Sequence, residues 1–255
     1  MKLVVHRGTN INSEENSIEG IKEIRELTKT SIIEIDIVPT KDNKLILFHD
    51  LSLKRHLNID KLILDFDFEQ LNSLKDNKSF ISLKDIIQLF PEQKFLLDFR
   101  CNFHKDYFPE SKIDIETLKD NLLEKYLSEL ELLNNKKNII LMCSDITKAK
   151  SLQKLGFEVD LSENFLRGYL DEIKEKKSLN FLDFKFYRVH IQNKLLSKDL
   201  VEIFHKHNIE VFSTPSMKRS IESSNIMLEK AIELKCDGIW LSPINSKIID
   251  TIEKA

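Results

Sequence analysis

From Phe95 to the end of the chain, short apolar runs alternate with amphipathic segments, and that alternation leaves few folds open. The runs Phe95–Phe99, Ile139–Cys143, Phe157–Leu161, Ile209–Phe212 and Gly238–Leu241 read as buried strands. One or both of Leu179–Phe184 and Tyr187–Ile191 supplies another. Helical patterns separate them at about Ile115–Leu133, in a segment ending near Gly156, at Phe165–Lys176, at Lys198–His207, at Ile226–Leu234 and from Lys247 onward. The first part continues the pattern. Strand Leu3–His6 precedes a helix Ile18–Leu27 capped by Ser17, and strands Ile32–Val38 and Leu45–His49 flank a turn at Pro39–Lys44. A short helix Leu83–Phe90 follows Ser82. About eight strand–helix units predict a parallel sheet closed by outer helices, the α/β TIM (β/α)8 barrel. No Pro-, Gly- or Ser-rich linker divides the chain, so residues 1–255 read as one domain. A short insertion, 51–79, follows the second carboxylate/His strand region and carries a short helix near Phe68–Leu74.

A barrel of this kind places its chemistry at the C-terminal ends of the strands. The polar residues there are His6, Arg7, Glu34, Asp36, His49, Asp98, Arg100, Ser144 and Ser213. Glu34 and Asp36 lie two apart between isoleucines, so a strand points both carboxylates to one face of an apolar segment. Two such groups repel and are costly to desolvate unless a cation sits between them. Alone, the pair would suit a partly solvated strand end, and a lone His6 would suit a structural histidine. With two histidines and Asp98 at other strand ends, a site is the better reading.

Charge gives two function classes no support. A formal net charge of −3 gives no electrostatic argument for nucleic acid or a membrane surface. No apolar run approaches the ~20 residues that cross a bilayer, and the N-terminus enters a strand without a signal region. Cys101, Cys143 and Cys236 are widely spaced and odd in number, which fits a reducing cytoplasm and neither a disulfide framework nor a thiolate metal site.

His6-Arg7-Gly8, Glu15-Asn16-Ser17, Glu34-Ile35-Asp36, Thr40-Lys41-Asp42 and His49-Asp50 occur in that order. Together they resemble the HRG, EN(T/S), ExD, TKD and HD motifs of the glycerophosphodiester phosphodiesterase family. Leu53-Lys54-Arg55 and Ser82-Leu83-Lys84-Asp85 extend the likeness. The resemblance implies a TIM barrel, a divalent cation, and hydrolysis of glycerophosphodiesters to an alcohol and glycerol 3-phosphate. It implies His6 and His49 as the catalytic acid/base pair, Glu34, Asp36 and Asp98 as metal ligands, and Arg7 and Arg100 as phosphate donors. Asp98 stands where the family has a glutamate, one methylene longer, and Arg100 where it has a lysine. The late part of the chain departs more. Phe212-Ser213-Thr214-Pro215 stands for a WTVN-like motif, and Leu241-Ser242-Pro243 replaces a TD-x-P motif.

Three carboxylates form a hard oxygen site, suited to Mg²⁺ or Ca²⁺ over Zn²⁺. Two histidines titrating near neutrality can serve as acid and base. Asp50 would orient a loop or His49, and Glu15, Phe212 and Trp240 are candidates for the cleft wall. The expected partner is a small phosphodiester, and the expected setting is cytoplasmic lipid metabolism. Two alternatives remain open: the same chemistry on a lysophospholipid or glycerophosphate-containing polymer, and a catalytically silent barrel that binds a phosphorylated ligand. The oligomeric state cannot be read from the sequence.

Overall fold

The computed structural model describes every residue except 11, 75–79, 100–114, 134–135, 163–168, 180–184 and 216–219. Its strands are β1 (Lys2–Val5), β2 (Ile32–Pro39), β3 (Leu45–Leu47), β4 (Phe95–Phe99), β5 (Ile139–Cys143), β6 (Glu158–Ser162), β7 (Arg188–Gln192), β8 (Glu210–Thr214) and β9 (Gly238–Leu241). Its helices are α1 (Ile18–Leu27), α2 (Lys54–Leu57), α3 (Phe68–Ser73), α4 (Leu83–Leu89), α5 (Ile115–Glu131), α6 (Ile146–Lys154), α7 (Leu170–Lys176), α8 (Lys198–Lys206), α9 (Ile221–Glu233) and α10 (Ser246–Lys254).

The sheet runs in the order β1-β9-β8-β7-β6-β5-β4-β2-β3, and an added β1–β2 pairing closes it. All pairings are parallel except that of β3, which lies antiparallel on β2 with Ile37 opposite Leu47. The other eight strands form the closed barrel, with helices between them. The strand read over Leu45–His49 is therefore a hairpin arm and not a barrel stave. The turn between Pro39 and Leu45, closed by Thr40 N–H to Lys44 O and by Asn43 at φ 67°, folds it straight back. β3 also stops at Leu47, so His49 sits in the following loop.

Two apolar regions hold the barrel. Outside, the helices bury their apolar faces against the sheet; α10 presents Ile248, Ile249 and Ile252. Inside, Val4, Ile32, Leu96, Ile140, Met142, Phe212 and Trp240 form a separate cluster. Below it, at the N-terminal ends of the strands, charged side chains pair. Lys2 meets Glu210 at 2.5 Å, Lys94 meets Glu158 at 3.6 Å, and Arg188 meets both Glu158 and Asp160.

Helix starts follow their caps. Ser17, Ser82, Asp145, Ser197 and Asn245 each accept a backbone N–H of the first turn. α9 begins at Ile221, five residues before the sequence pattern predicts. A Ser220–Ser223 capping box starts it, and the polar Glu222-Ser223-Ser224-Asn225 stretch hides the first turn. Of the two runs near residues 179–191, Arg188–Gln192 is the barrel strand, and residues 180–184 lie outside the described residues.

Gly238 shows how tightly the interior is filled. A Cβ there would lie 2.2 Å from the Phe212 ring. Gly238→Ala must displace that ring within a closed layer, so the expected loss is about 1–3 kcal/mol of unfolding free energy, measured by urea denaturation.

Candidate active site

The site begins with the turn that follows β1. Arg7 and Gly8 both take left-handed backbone, at φ 57° and 51°. For arginine that conformation costs about 1–2 kcal/mol. It turns the Arg7 amide onto Glu34, whose Oε2 accepts it at 2.6 Å. Helix α1 packs so close to this turn that a Cβ on Gly20 would lie 2.2 Å from the Gly8 carbonyl oxygen. Only glycine permits that approach.

Glu34 and Asp36 project from β2 into the mouth of the barrel, and the parallel register sets Asp36 opposite Asp98 of β4. One oxygen from each of the three lies within 4.8 Å of the others. Glu34 and Asp36 are buried, at 0% and 1% exposure. Asn16 clamps Asp36 twice: its amide donates to Oδ2 at 2.9 Å, and its Oδ1 accepts the Asp36 backbone N–H at 2.9 Å. Among the described residues, Glu34 Oε1 is buried without a hydrogen-bond partner.

Such an arrangement is unfavourable without a counter-charge. At 4.8 Å two unit charges repel by about 3.5 kcal/mol at an effective dielectric of ~20. Burial pushes the Glu34 carboxyl well above its ordinary value, and Asp36 and Asp98 push it further; the Arg7 amide and guanidinium only partly oppose this. The orphaned Glu34 oxygen and three converging carboxylates fit a divalent cation.

Two histidines flank the carboxylates. His6 Nε2 lies 3.9 Å from Glu34 Oε2. His49 reaches the same end through the β2–β3 hairpin, where the Phe48 N–H donates to the Asp36 carbonyl at 3.1 Å. Its Nδ1 is 2.5 Å from Asp50 Oδ1. Asp50 also accepts from Arg55 Nε, and Arg55 Nη2 donates to Glu15 Oε1 at 2.6 Å. Glu15 Oε2 in turn accepts from Arg7 Nη1 at 2.8 Å. This chain runs His49–Asp50–Arg55–Glu15–Arg7, and Arg7 Nε then lies 3.6 Å from Asp36. Burial raises the Asp50 carboxyl, but His49 and Arg55 outweigh it and hold it far below the carboxylate range. Burial likewise opposes ionisation of Glu15, and Arg7 and Arg55 outweigh it. The 51–79 segment thus contributes Arg55 of α2 to the rim of the site.

Of the residues singled out in the sequence, His6, Arg7, Glu34, Asp36, His49 and Asp98 gather at this mouth. Glu15 is a bridge between two arginines. Trp240 lies with its ring 5.5 Å from that of His6. Phe212 does not reach the cleft: it is 0% exposed and fills the barrel interior. Its place in the strand explains this, since Thr214, two residues further on, ends β8. Ser213 is buried in a hydrogen bond from Asn193. Arg100 and Cys101 lie outside the described residues.

Sequence reasoning gave no role to Asn16, although it occupies the centre of Glu15-Asn16-Ser17. It also passed over a buried polar group formed by Asp160, Arg188 and His190. The signal was the alternation Glu158-Val159-Asp160 and Arg188-Val189-His190, which places polar residues on the inward face of two neighbouring strands.

Comparison with known proteins places these residues in context. The model of the glycerophosphoryl diester phosphodiesterase family matches residues 6–239. A glycerophosphodiester phosphodiesterase of Caldanaerobacter subterraneus subsp. tengcongensis is 30% identical over 105 residues, covering 38% of this chain and 43% of that protein. A mouse lysophospholipase D is 26% identical over 113 residues, covering 38% of this chain and 34% of the relative. The chain thus matches less than half the length of either. An Oleispira antarctica phosphodiesterase, solved with the product sn-glycerol-3-phosphate, superposes with a TM-score of 0.70 at 15% identity, over 99% of this chain and 97% of that one.

Glu34→Gln removes one charge and keeps the shape. Because the Glu34 carboxyl is raised from its ordinary 4.5, the folded wild type holds more protons than the unfolded chain above that pH, and its stability falls as pH rises. In chelator the variant is expected to be more stable at pH 8 by about 1–3 kcal/mol, with the gap closing toward pH 4.5. Added divalent cation should raise the melting temperature of the wild type more than that of the variant. Urea and thermal unfolding check both.

Proposed function

The chain belongs to the glycerophosphoryl diester phosphodiesterase family, and from that premise we propose that it hydrolyses glycerophosphodiesters to an alcohol and glycerol 3-phosphate. The observation that carries this reading is the meeting of three carboxylates, two of them buried, with His6 and the Asp50-held His49 at one barrel mouth. Residues 1–255 act here as one phosphodiesterase domain, with 51–79 as a reduced rim. The glycerol 3-phosphate found in the Oleispira relative supports the choice of product class.

Glu34, Asp36 and Asp98 would hold the divalent cation, and Mg²⁺ or Ca²⁺ suits an all-carboxylate donor set. When bound, that ion neutralises charge on the phosphate oxygens. Arg7, tethered by Glu15, presents a guanidinium to the same oxygens, and Arg100 is assigned the same task by its place in the sequence. Asp50 accepts from His49 Nδ1, which fixes the tautomer and leaves proton exchange to Nε2. His6, 3.9 Å from Glu34, is the second acid/base group. The nearly balanced charge, and the buried free thiols of Cys143 and Cys236, fit a cytoplasmic enzyme of lipid metabolism. No helix among the described residues is long and apolar enough to cross a membrane.

A second substrate is favoured by one observation: the mouse relative is named a lysophospholipase D. The same residues would then act on a lysophospholipid, whose acyl chain would lie over the short 51–79 rim.

Release of glycerol 3-phosphate from a panel of water-soluble glycerophosphodiesters and lysophospholipids, with Mg²⁺, Ca²⁺ or chelator, tests the proposal. Turnover should require metal and should fall about 10²–10⁴-fold in His6→Ala and at least as far in Glu34→Ala. Folded protein inactive on every substrate with every metal would sink it and favour a silent phosphate-binding barrel. Asp50→Asn leaves the fold but loses the carboxylate on Nδ1. Its kcat should drop about 10²-fold with KM within about twofold, as read by steady-state kinetics.

A further inference from the structure

Behind the site lies a buried polar chain that the chemistry above does not use. Arg188 Nε donates to both oxygens of Asp160, at 2.9 and 3.0 Å. Asp160 Oδ2 lies 2.9 Å from His190 Nε2. His190 Nδ1 accepts from Trp240 Nε1 at 2.8 Å. The Trp240 ring then lies 5.5 Å from the ring of His6, tilted by 56°. Asp160, His190, Arg188 and Trp240 are all buried, at 1%, 2%, 5% and 4% exposure.

The direction of these bonds is fixed. An indole N–H only donates, so His190 Nδ1 must be the unprotonated nitrogen. Burial, with the Arg188 cation adding to it, pushes His190 down to about 3, so the ring is neutral and carries its proton on Nε2. That proton is donated to Asp160. The His190 ring is also wedged between Phe212 and Trp240, at centroid distances of 5.1 and 5.3 Å. Its rotamer is therefore set by three residues, Asp160, Trp240 and Phe212.

We propose that His190 is a positioning residue of the reaction: by accepting the Trp240 indole N–H it fixes the aromatic face that holds the His6 imidazole beside Glu34. Placing three polar side chains inside a barrel layer costs desolvation that an apolar trio would avoid. What the polar chain supplies in return is one rigid orientation, passed from Arg188 through Asp160 and His190 to a single indole. An indole held only by packing could turn about its two side-chain torsions; one held at Nε1 cannot. His6 is fixed on one side by that ring and on the other by the carboxylate cluster.

The inference rests on the role proposed above for His6, and the test separates the two. His190→Asn keeps an amide oxygen near the place of Nδ1, whereas His190→Gln extends past it toward Asp160. Trp240 is the only tryptophan, so its indole N–H gives one unambiguous proton NMR signal. In His190→Gln that signal should shift, the His6 Cε1 proton should move out of the indole ring current, and kcat should fall about 10-fold with KM within about twofold. His190→Asn should restore the His6 signal and bring kcat to within about threefold of wild type. Trp240→Phe should match His190→Gln. An unmoved His6 signal in His190→Gln overturns the inference, whether or not the wild type turns over any substrate. Equal losses of kcat in the Gln and Asn variants also overturn it, because a merely structural role would not distinguish them. A wild type without turnover counts against the proposed function alone, and the His6 signal then still decides the positioning role.

Discussion

The pairing of β1 with β2 is the contact on which both the barrel and the site depend. Val4 pairs with Ile32 and Val5 with Ile33, and this short parallel ladder joins the two ends of the sheet. The next residues along the two strands are His6 and Glu34. Closing the barrel and bringing an imidazole to a buried carboxylate are therefore one event. The left-handed turn at Arg7 then adds the amide that Glu34 accepts. Backbone cost at that turn is offset by the hydrogen bond, by packing of α1, and by the charge that the turn places beside Asp36.

Around this seam, polar groups are held by other polar groups. Asn16 fixes Asp36, Asp50 fixes His49, and Glu15 ties Arg7 to Arg55. Each pairing satisfies a buried or half-buried group that would otherwise be costly. Among the described residues two atoms of the seam lack a hydrogen-bond partner: Arg7 Nε, which still lies 3.6 Å from Asp36, and Glu34 Oε1, which sits amid like charges. An open carboxylate oxygen facing two further carboxylates suits a cation.

Much of this was legible in the sequence, for reasons that can be named. Strand periodicity put Glu34 and Asp36 on one face, and the order of short motifs carried the family. Caps marked most helix starts. Four features were not legible. Leu45–Leu47 looks like any other strand, because periodicity does not report direction, and only the tight turn before it makes it a hairpin arm. The start of α9 was masked by polar residues that cap well but show no apolar face. His190 has no partner nearby in sequence; Asp160 and Trp240 reach it from 30 and 50 residues away, and only barrel closure brings them together. Phe212 lies near a strand's end and is still fully buried, because β8 continues two residues further.

The charged floor of the barrel has a consequence for traffic. Lys2–Glu210, Lys94–Glu158 and Arg188 with its two acids occupy the lower end, and the Phe212 layer lies above them. Among the described residues the barrel is in this sense a blind vessel. Whatever the site binds would then enter and leave by the mouth, so occupancy is a queue in which one molecule must step out before the next can step in.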